Sequence, residues 1–530
     1  MQTHVFALLN SAVQPGLQEI EVSSSFQIPG FVVVGLAAQE ISEAKERVRS
    51  AIDASGFSFP KRRVVLNLSP ANIRKRGTGT DLAMALSILY SEPPTDVRLP
   101  RIRVLAQGEL GLDGNLKSTG QSTRLLWAAL QGEIDLMIAP KQDLLAMLGA
   151  LKLMGPILDP EKRMLPRIAF AETLSEAWTA FEQALSQPTL SEFWENESRV
   201  QELDLTTRSN RLLSLGPSLE RIIGMAASGS HHLMLVGPKG TGKTHALEWL
   251  CRLLPGAPPS IQVENRLINE LSDTPPRHET VPARWIGTHA KPASLIGTTV
   301  SGCFMPGEFS RAHGGILIAD EFPEWSRDAR ECLREPLESG KVTLTRARKT
   351  ETLPSRFLFA ANGNLCPCGG WPNELPMGAE IQNAGFTPKP CRCRAHERES
   401  YLSRLSGPVL DRIDAIAQVV EAPRPASENS RPEDHFEEVR ARVDRVHAAL
   451  QRTWGAAPGT LDGYQLETIL GDHPTWRENL DRCAMASLRS RHKTLRLALT
   501  LSAWDSLPLP KPSHFWEAAQ LRPEKLTSIM

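Results

Sequence analysis

The octapeptide Gly237-Pro238-Lys239-Gly240-Thr241-Gly242-Lys243-Thr244 follows the apolar run HHLMLV and precedes the helix-like run HALEWL. G-x-x-x-x-G-K-T between a strand and a helix is the spacing of a phosphate-binding loop. Its glycines let backbone N–H groups wrap phosphates at a helix N-terminus. Lys243 is expected to reach the β/γ oxygens, and Thr244 to offer its hydroxyl to Mg²⁺. A second motif, GGILIADE (314–321), reads as an apolar strand ending in two carboxylates. Asp320 is expected on the Mg²⁺ side, and Glu321 as the general base that activates water against the γ-phosphate. The pair of motifs points to ATP and Mg²⁺ and to hydrolysis. FLFAANGN (357–364) is a further strand ending in polar residues, and Asn364 or Asn362 is expected to hold the attacking water. SRLSGPVLDRIDAI (403–416) supplies Arg404 and Arg412. In a single chain such arginines are surface or ion-pair residues. In a ring ATPase, one of them projects into the neighbour's site as an arginine finger.

Two further sets carry chemistry of other kinds. Cys366-Pro-Cys368 and Cys391-Arg-Cys393 are two C-x-C pairs separated by 22 residues. Four thiolates can close a tetrahedral structural Zn²⁺ site, and Gly369-Gly370 with a Pro-containing loop suits a metal-stapled excursion. The alternative is four reduced loop cysteines. Cys251, Cys303, Cys332 and Cys483 are scattered and read as core or surface thiols. SGKVTLTRARKTETLPSRF (339–357) reads as strand, turn, strand with Lys341, Arg346, Arg348 and Lys349. Such a hairpin either grips nucleic-acid phosphates at the pore of a ring or is simply a solvated charged face. A second basic run comprises Lys61, Arg62, Arg63, Arg74, Lys75 and Arg76, a candidate for DNA or for a subunit contact.

The elements that must position these residues fall into an α/β multidomain chain. At roughly 150 residues per domain, 530 residues allow about three. Residues 1–183 read as an α/β domain: FVVVGLA and RRVVLNLSP are strand signals, AAQEISEAKERVRSAIDASGF and DLAMALSILY are helical, and VLAQGELGLDGNL suggests two short strands about Asp113-Gly114. Polar sequence over 184–209 reads as a linker, 210–421 as a second α/β unit, and the Pro/Ser/charge-rich 422–435 as a second linker. From 436 to 530 the pattern is helical. Lys+Arg and Asp+Glu balance at 60 each, so any nucleic-acid contact must come from a local basic surface and not from net charge. No apolar run reaches transmembrane length, and no membrane partner is expected. The opening MQTHVFALLN lacks the pattern of a secretory signal and the cysteines suit a reducing compartment, so a cytoplasmic location is expected.

Taken together and in order, GPKGTGKT, PGEFSRAHGGILIADEFPEW, REPLESGKVTLTRA, NLCPCGG, CRC and YLSRLSGPVLDRID resemble the ComM-type, magnesium-chelatase-like AAA+ ATPases. The N-terminal half resembles that family's Lon-protease-like domain through FVVVGLA, ERVRSAI, GFSFPKRRVVLNLSPAN and GELGLDGNL. The resemblance implies a P-loop AAA+ domain with a C-terminal helical lid, and a hexameric, ATP-driven DNA helicase promoting branch migration in natural transformation. It implies Asp320 and Glu321 as the Walker B pair, Asn364 as the sensor asparagine and Arg412 as the finger ahead of Arg404. Arg489, in SLRSRHKTLRLALTLSAW, matches a second, nucleotide-sensing arginine. The stretch ARWIGTHAKPASLIGTTVSG follows the family's Pro-His-His segment only loosely, and ANGNLCPC replaces the usual Ala-Met-Asn-Pro. A Lon-type protease needs a Ser nucleophile and a Lys. Here Gly79 stands at the serine position and Ser122 at the lysine position, and neither Thr78 nor Thr80 has an evident base, so a non-proteolytic domain is expected. The alternative from another class is a chelatase-type remodeller that spends ATP on a partner protein.

Overall fold

The computed structural model describes residues 4–9, 14–35, 39–70, 79–94, 99–157, 165–197, 214–271, 281–300, 303–346, 349–370, 389–405, 407–419, 432–483 and 487–522. In the N-terminal part, β-branched and alternating runs give β1 (His4–Leu9), β2 (Gly16–Ser25), β3 (Gly30–Val34), β4 (Arg63–Ser69) and β5 (Arg103–Ala106). A small hairpin follows, β6 (Glu109–Leu110) and β7 (Leu116–Lys117), turning at Gly114 with φ +83°. β8 (Leu136–Pro140) and β9 (Arg167–Ala171) complete a seven-stranded mixed sheet of order β3-β4-β2-β1-β5-β8-β9. Helices Gln39–Ala54 and Asp81–Ser91 cover one face of this sheet, and Ser122–Gln131 and Leu144–Met154 the other. The stretch read as a linker from residue 184 is helical over Ala184–Ser186 and Leu190–Glu197. Leu190 and Phe193 explain this: both are buried against the second face of the sheet, so polar composition there hides an amphipathic turn.

The nucleotide-binding part is built on β10 (Leu233–Val236), β11 (Ala283–Ile286), the hairpin β12 (Gly297–Val300) and β13 (Cys303–Pro306), β14 (Ile316–Ala319), the hairpin β15 (Lys341–Arg346) and β16 (Lys349–Pro354), β17 (Leu358–Gly363) and β18 (Ala415–Gln418). Five of these form a wholly parallel sheet of order β11-β14-β17-β10-β18. Continuous apolar runs such as LMLV and ILIA, buried on both faces, are what such a sheet requires. Its order matters for chemistry. β10 runs beside β17, and β17 beside β14, so the loops after all three strands open at one edge, where ligands bind in open α/β sheets.

The C-terminal helices Pro432–Trp454, Gly463–Asp472, Pro474–Arg482, Leu488–Trp504 and Pro512–Gln520 share one apolar core with β10, β18 and the helix after the phosphate loop. The first of them starts inside the stretch read as the second linker. Buried Asp414, just before β18, ties this region to the sheet: it accepts from Lys493 Nζ at 2.8 Å and from the His232 N–H at 2.9 Å. Burial opposes its charge, but Lys493, the two histidines and Arg496 hold it well below the usual carboxylate range.

The N-terminal part docks on the helix Pro259–Asn269, whose Val263 and Leu267 enter its core. Glu270, at the end of that helix, accepts from the N–H groups of Thr123 (3.1 Å) and Arg124 (2.9 Å), capping the start of Ser122–Gln131. The fully buried Arg124 donates to Leu267 O at 2.8 Å. From the same helix, Asn265 donates to the carbonyls of Arg311 and His313, and His313 pairs with Glu264 at 2.9 Å. The docking helix therefore braces the segment that leads into β14.

Candidate functional site

β10 delivers the chain into the phosphate loop, and Gly242, at φ +77°, turns it into the helix Lys243–Leu253. Only a residue without Cβ takes that conformation readily. Lys243 is nearly buried, and its ammonium donates to Gly237 O (2.9 Å), Pro238 O (2.7 Å) and Asn364 Oδ1 (3.4 Å). Burial pulls its pKa down to about 8, against the opposing pull of Asp320 and Glu321. Phosphates favour the ammonium form. Nucleotide affinity is therefore expected to hold below about pH 8 and to fall as the pH rises past it, read by fluorescence titration. A flat profile to about pH 9.5 would rule out Lys243 as the titrating contact.

The two acidic residues leave the end of β14 side by side. Asn362, 3% exposed on β17, joins them to the phosphate loop. Its Nδ2 donates to Asp320 Oδ1 at 2.6 Å and reaches Thr244 Oγ1 at 3.4 Å, and its Oδ1 accepts from the Glu321 N–H at 2.7 Å. Glu321 sits at φ +47°, in the left-handed region that a non-glycine residue avoids. Asn362 and the following turn Phe322–Glu324 hold it there, an instance of strain kept where a side chain must be aimed. Asn364, the residue matched to the sensor in sequence, lies instead against Lys243. Asn362 makes the three contacts that bind Thr244, Asp320 and Glu321 into one constellation. The end of the strand explains the split: 362 is the β17 position paired across the sheet with Leu235 of β10, while 364 lies past the strand's end, where the chain is free to turn toward Lys243. This arrangement can hold a Mg²⁺–nucleotide between Lys243, Thr244 and Asp320 and present a carboxylate to a water.

Arg412 and Arg489 come together although 77 positions separate them in the chain. Both pair with the single carboxylate of Glu338, Arg489 at 2.9 Å. Arg412 also donates to Pro408 O at 2.6 Å, and its own carbonyl accepts from Lys493 Nζ. Nothing in the sequence marked Glu338; it lies at the end of the short helix Arg334–Ser339. Arg404 points elsewhere, to Glu324 at 3.0 Å, in the turn that follows Glu321.

The four cysteines of the two C-x-C pairs converge: one sulfur from each lies within 4.8 Å of all the others. Cys366 Sγ is 3.3 Å from Cys368 Sγ, which is 3.7 Å from Cys391 Sγ. Thiolates ~2.3 Å from zinc at the corners of a tetrahedron are ~3.8 Å apart, so the donor set fits that ion closely. Cys251, Cys332 and Cys483 form no disulfide and lie elsewhere in the fold.

The basic hairpin forms as expected. β15 and β16 pair from Lys341↔Pro354 to Arg346↔Lys349. Lys341 is exposed at its base. Arg348 lies outside the described residues, as do Arg74, Lys75 and Arg76 of the other basic run.

In the N-terminal part, a Cβ on Gly79 would fall 2.0 Å from Gln107 Nε2, so Gln107 fills the space a serine side chain would need. Gln107 is tied to Leu8 N–H (3.3 Å) and Gln121 Oε1 (3.3 Å). Ser122 and Thr80 are buried, and neither hydroxyl has a hydrogen-bond partner among the described residues. Thr78 lies outside the described residues.

The family described as "Magnesium chelatase, subunit ChlI" matches residues 216–427, and "Subunit ChlI of Mg-chelatase" matches residues 20–143. The YifB protein of Salmonella typhimurium is 28% identical over 98% of this chain and 96% of its own length. A Mycobacterium bovis protein is 30% identical, covering 91% of each chain. The "Competence protein ComM" of Haemophilus influenzae is 29% identical over 94% of this chain and 93% of its own. No described helix is long and apolar enough to cross a membrane. Similarity over nearly the whole length, with the phosphate loop, the paired carboxylates and the five-stranded parallel sheet in place, means that this chain belongs to the ComM/YifB-type, magnesium-chelatase-like AAA+ ATPases.

Proposed function

We propose that the protein is a ring-forming ATPase that moves along DNA, acting as a branch-migration helicase when incoming DNA is recombined during competence. The observation that carries the ATPase half is the constellation that Asn362 ties together from Thr244, Asp320 and Glu321. In this reading Lys243 and Thr244, with the backbone N–H groups of Gly240, Thr241 and Gly242, bind the nucleotide phosphates. Mg²⁺ bound beside Thr244 and Asp320 would neutralise charge on the phosphoryl oxygens. Glu321 takes a proton from the attacking water, and Asn364 and Asn362 position the groups around it. Arg412 serves a neighbouring subunit's site, and Arg489, sharing its carboxylate, moves with it. A hexamer is the ring the family resemblance implies, and Zn²⁺ is the ion proposed for Cys366, Cys368, Cys391 and Cys393.

The DNA half rests on the basic hairpin and on the competence-related relative. Lys341, Arg346, Arg348 and Lys349 would grip backbone phosphates, so stimulation of ATPase by DNA should weaken steeply with salt as counterions are released. Replacing all four by alanine is expected to raise the DNA concentration for half-maximal stimulation by at least about tenfold while basal ATPase persists. Undiminished stimulation in that variant would remove the hairpin from the DNA path. A parent whose ATPase ignores DNA altogether would favour the chelatase-type remodeller, which the family descriptions also accommodate. The N-terminal part is proposed as a non-proteolytic assembly domain, because Gln107 fills the space a nucleophile would occupy.

A further inference from the structure

The cysteine cluster and the phosphate loop share a backbone boundary. Cys366 lies two residues past Asn364, whose side chain accepts from Lys243. The Gly237 N–H donates to Gly363 O at 3.2 Å, one residue before Asn364. Between the cysteine pairs, the Gly369 carbonyl accepts from the Lys239 N–H at 3.0 Å, while the Gly369 N–H donates to Cys366 O at 3.0 Å. Gly369 adopts φ +74°, and a Cβ there would lie 2.6 Å from Lys239 Cγ and 2.7 Å from Cδ, so the lysine stem lies flat on it. Gly370 is clamped from within the cluster. Its carbonyl accepts from Cys366 Sγ at 3.3 Å, and a Cβ on it would meet Pro390 O at 2.9 Å and Cys391 Cα at 3.0 Å. Three members of the phosphate loop, Gly237, Lys239 and Lys243, therefore rest on the segment Gly363–Gly369 that carries the first cysteine pair.

We propose that the metal at Cys366, Cys368, Cys391 and Cys393 sets the shape of the phosphate loop, so that nucleotide affinity depends on metal occupancy. This rests on the nucleotide-site and zinc readings above. The physical basis is conformational. Residues 364–370 form no helix or strand, and they include two glycines, which lose more freedom on ordering than any other residue. Ligation of both cysteine pairs fixes this segment, and with it the Gly369 carbonyl and the Asn364 amide that face the two loop lysines. Without the metal, the same groups must be ordered by the nucleotide itself, which lowers affinity.

The test uses the full chain, zinc analysis and titration with a fluorescent ADP analogue. The zinc-loaded chain should hold about one ion, and removal by a chelator should weaken ADP binding about tenfold, equivalent to ~1.4 kcal/mol, with recovery on adding Zn²⁺. Gly369→Ala keeps all four cysteines, so it should retain zinc and still lose affinity to a similar degree, separating the coupling from loss of folding. A stripped chain that binds ADP as tightly as the loaded one would overturn the proposal, as would a Gly369→Ala chain with parental affinity. A chain that takes up no zinc from solution would overturn it at the metal. Normal ADP binding by that chain would leave the nucleotide-site reading standing, so the two failures are distinguishable.

Discussion

A chain carrying Glu321→Gln binds ATP as the parent does but turns it over about 10²–10⁴-fold more slowly, the usual worth of a positioned general base. The substitution keeps size and hydrogen-bonding reach and removes only the capacity to accept a proton. Backbone geometry should survive, because the contact that fixes residue 321 is its N–H to Asn362 Oδ1 and not its side chain. Two measurements check this: ATP affinity at equilibrium, and single-turnover hydrolysis. Lys243→Ala provides the contrast, since it removes the phosphate-facing cation and should abolish binding itself. Parental hydrolysis in the Glu321→Gln chain would require another base.

The second large effect is expected at Arg412. Arg412→Ala should leave nucleotide affinity close to the parent and cut turnover by about 10³–10⁵-fold, the range an arginine finger contributes. The change should do little to folding, since Glu338 is half exposed and keeps Arg489 as a partner, and the contact of the residue-412 carbonyl with Lys493 is retained. The decisive measurement is a mixture. Lys243→Ala subunits have a dead site and an intact finger, and Arg412→Ala subunits have the reverse. In a mixed ring, some interfaces pair an intact site with an intact Arg412 from the adjacent subunit, and hydrolysis returns. Monomers working alone could not rescue each other. Absence of rescue would refute a shared site. Arg489 offers an internal check. It meets Arg412 at Glu338, so Arg489→Ala should be rescued by the same Lys243→Ala partner if both arginines serve one neighbouring nucleotide.

Much of the nucleotide site is legible along the chain because its demands are local. A phosphate loop needs glycines at fixed offsets, a lysine opening a helix, and an apolar strand before them, all within about twenty residues. The paired carboxylates are visible for the same reason: ILIA is a buried strand, and Asp320-Glu321 is its polar end. The basic hairpin and the short turn at Gly114 are likewise written in neighbouring residues. The helical turns at 184–197 were masked, because two apolar residues, Leu190 and Phe193, suffice to anchor a short amphipathic helix in otherwise polar sequence.

By itself, then, the sequence determined that this chain carries a phosphate-loop pattern, an apolar strand ending in paired carboxylates, two cysteine pairs and an N-terminal α/β half with Gly79 and Ser122 at the positions discussed above. Only the tertiary structure decided how those parts meet. It chose Asn362 over Asn364 as the residue joining Thr244 to Asp320, because the order β14-β17-β10 sets one asparagine between the neighbouring strands and the end of β17 at Gly363 leaves the other beyond it. It brought Arg412 and Arg489 to one carboxylate, closed four sulfurs into a cluster resting on the phosphate loop, and placed Gln107 where Gly79 left room. The reason is the range of the interactions. Turn chemistry and periodicity act between residues a few positions apart and can be read in order. Contacts among side chains tens to hundreds of positions apart are fixed only when the sheets and their covering helices pack.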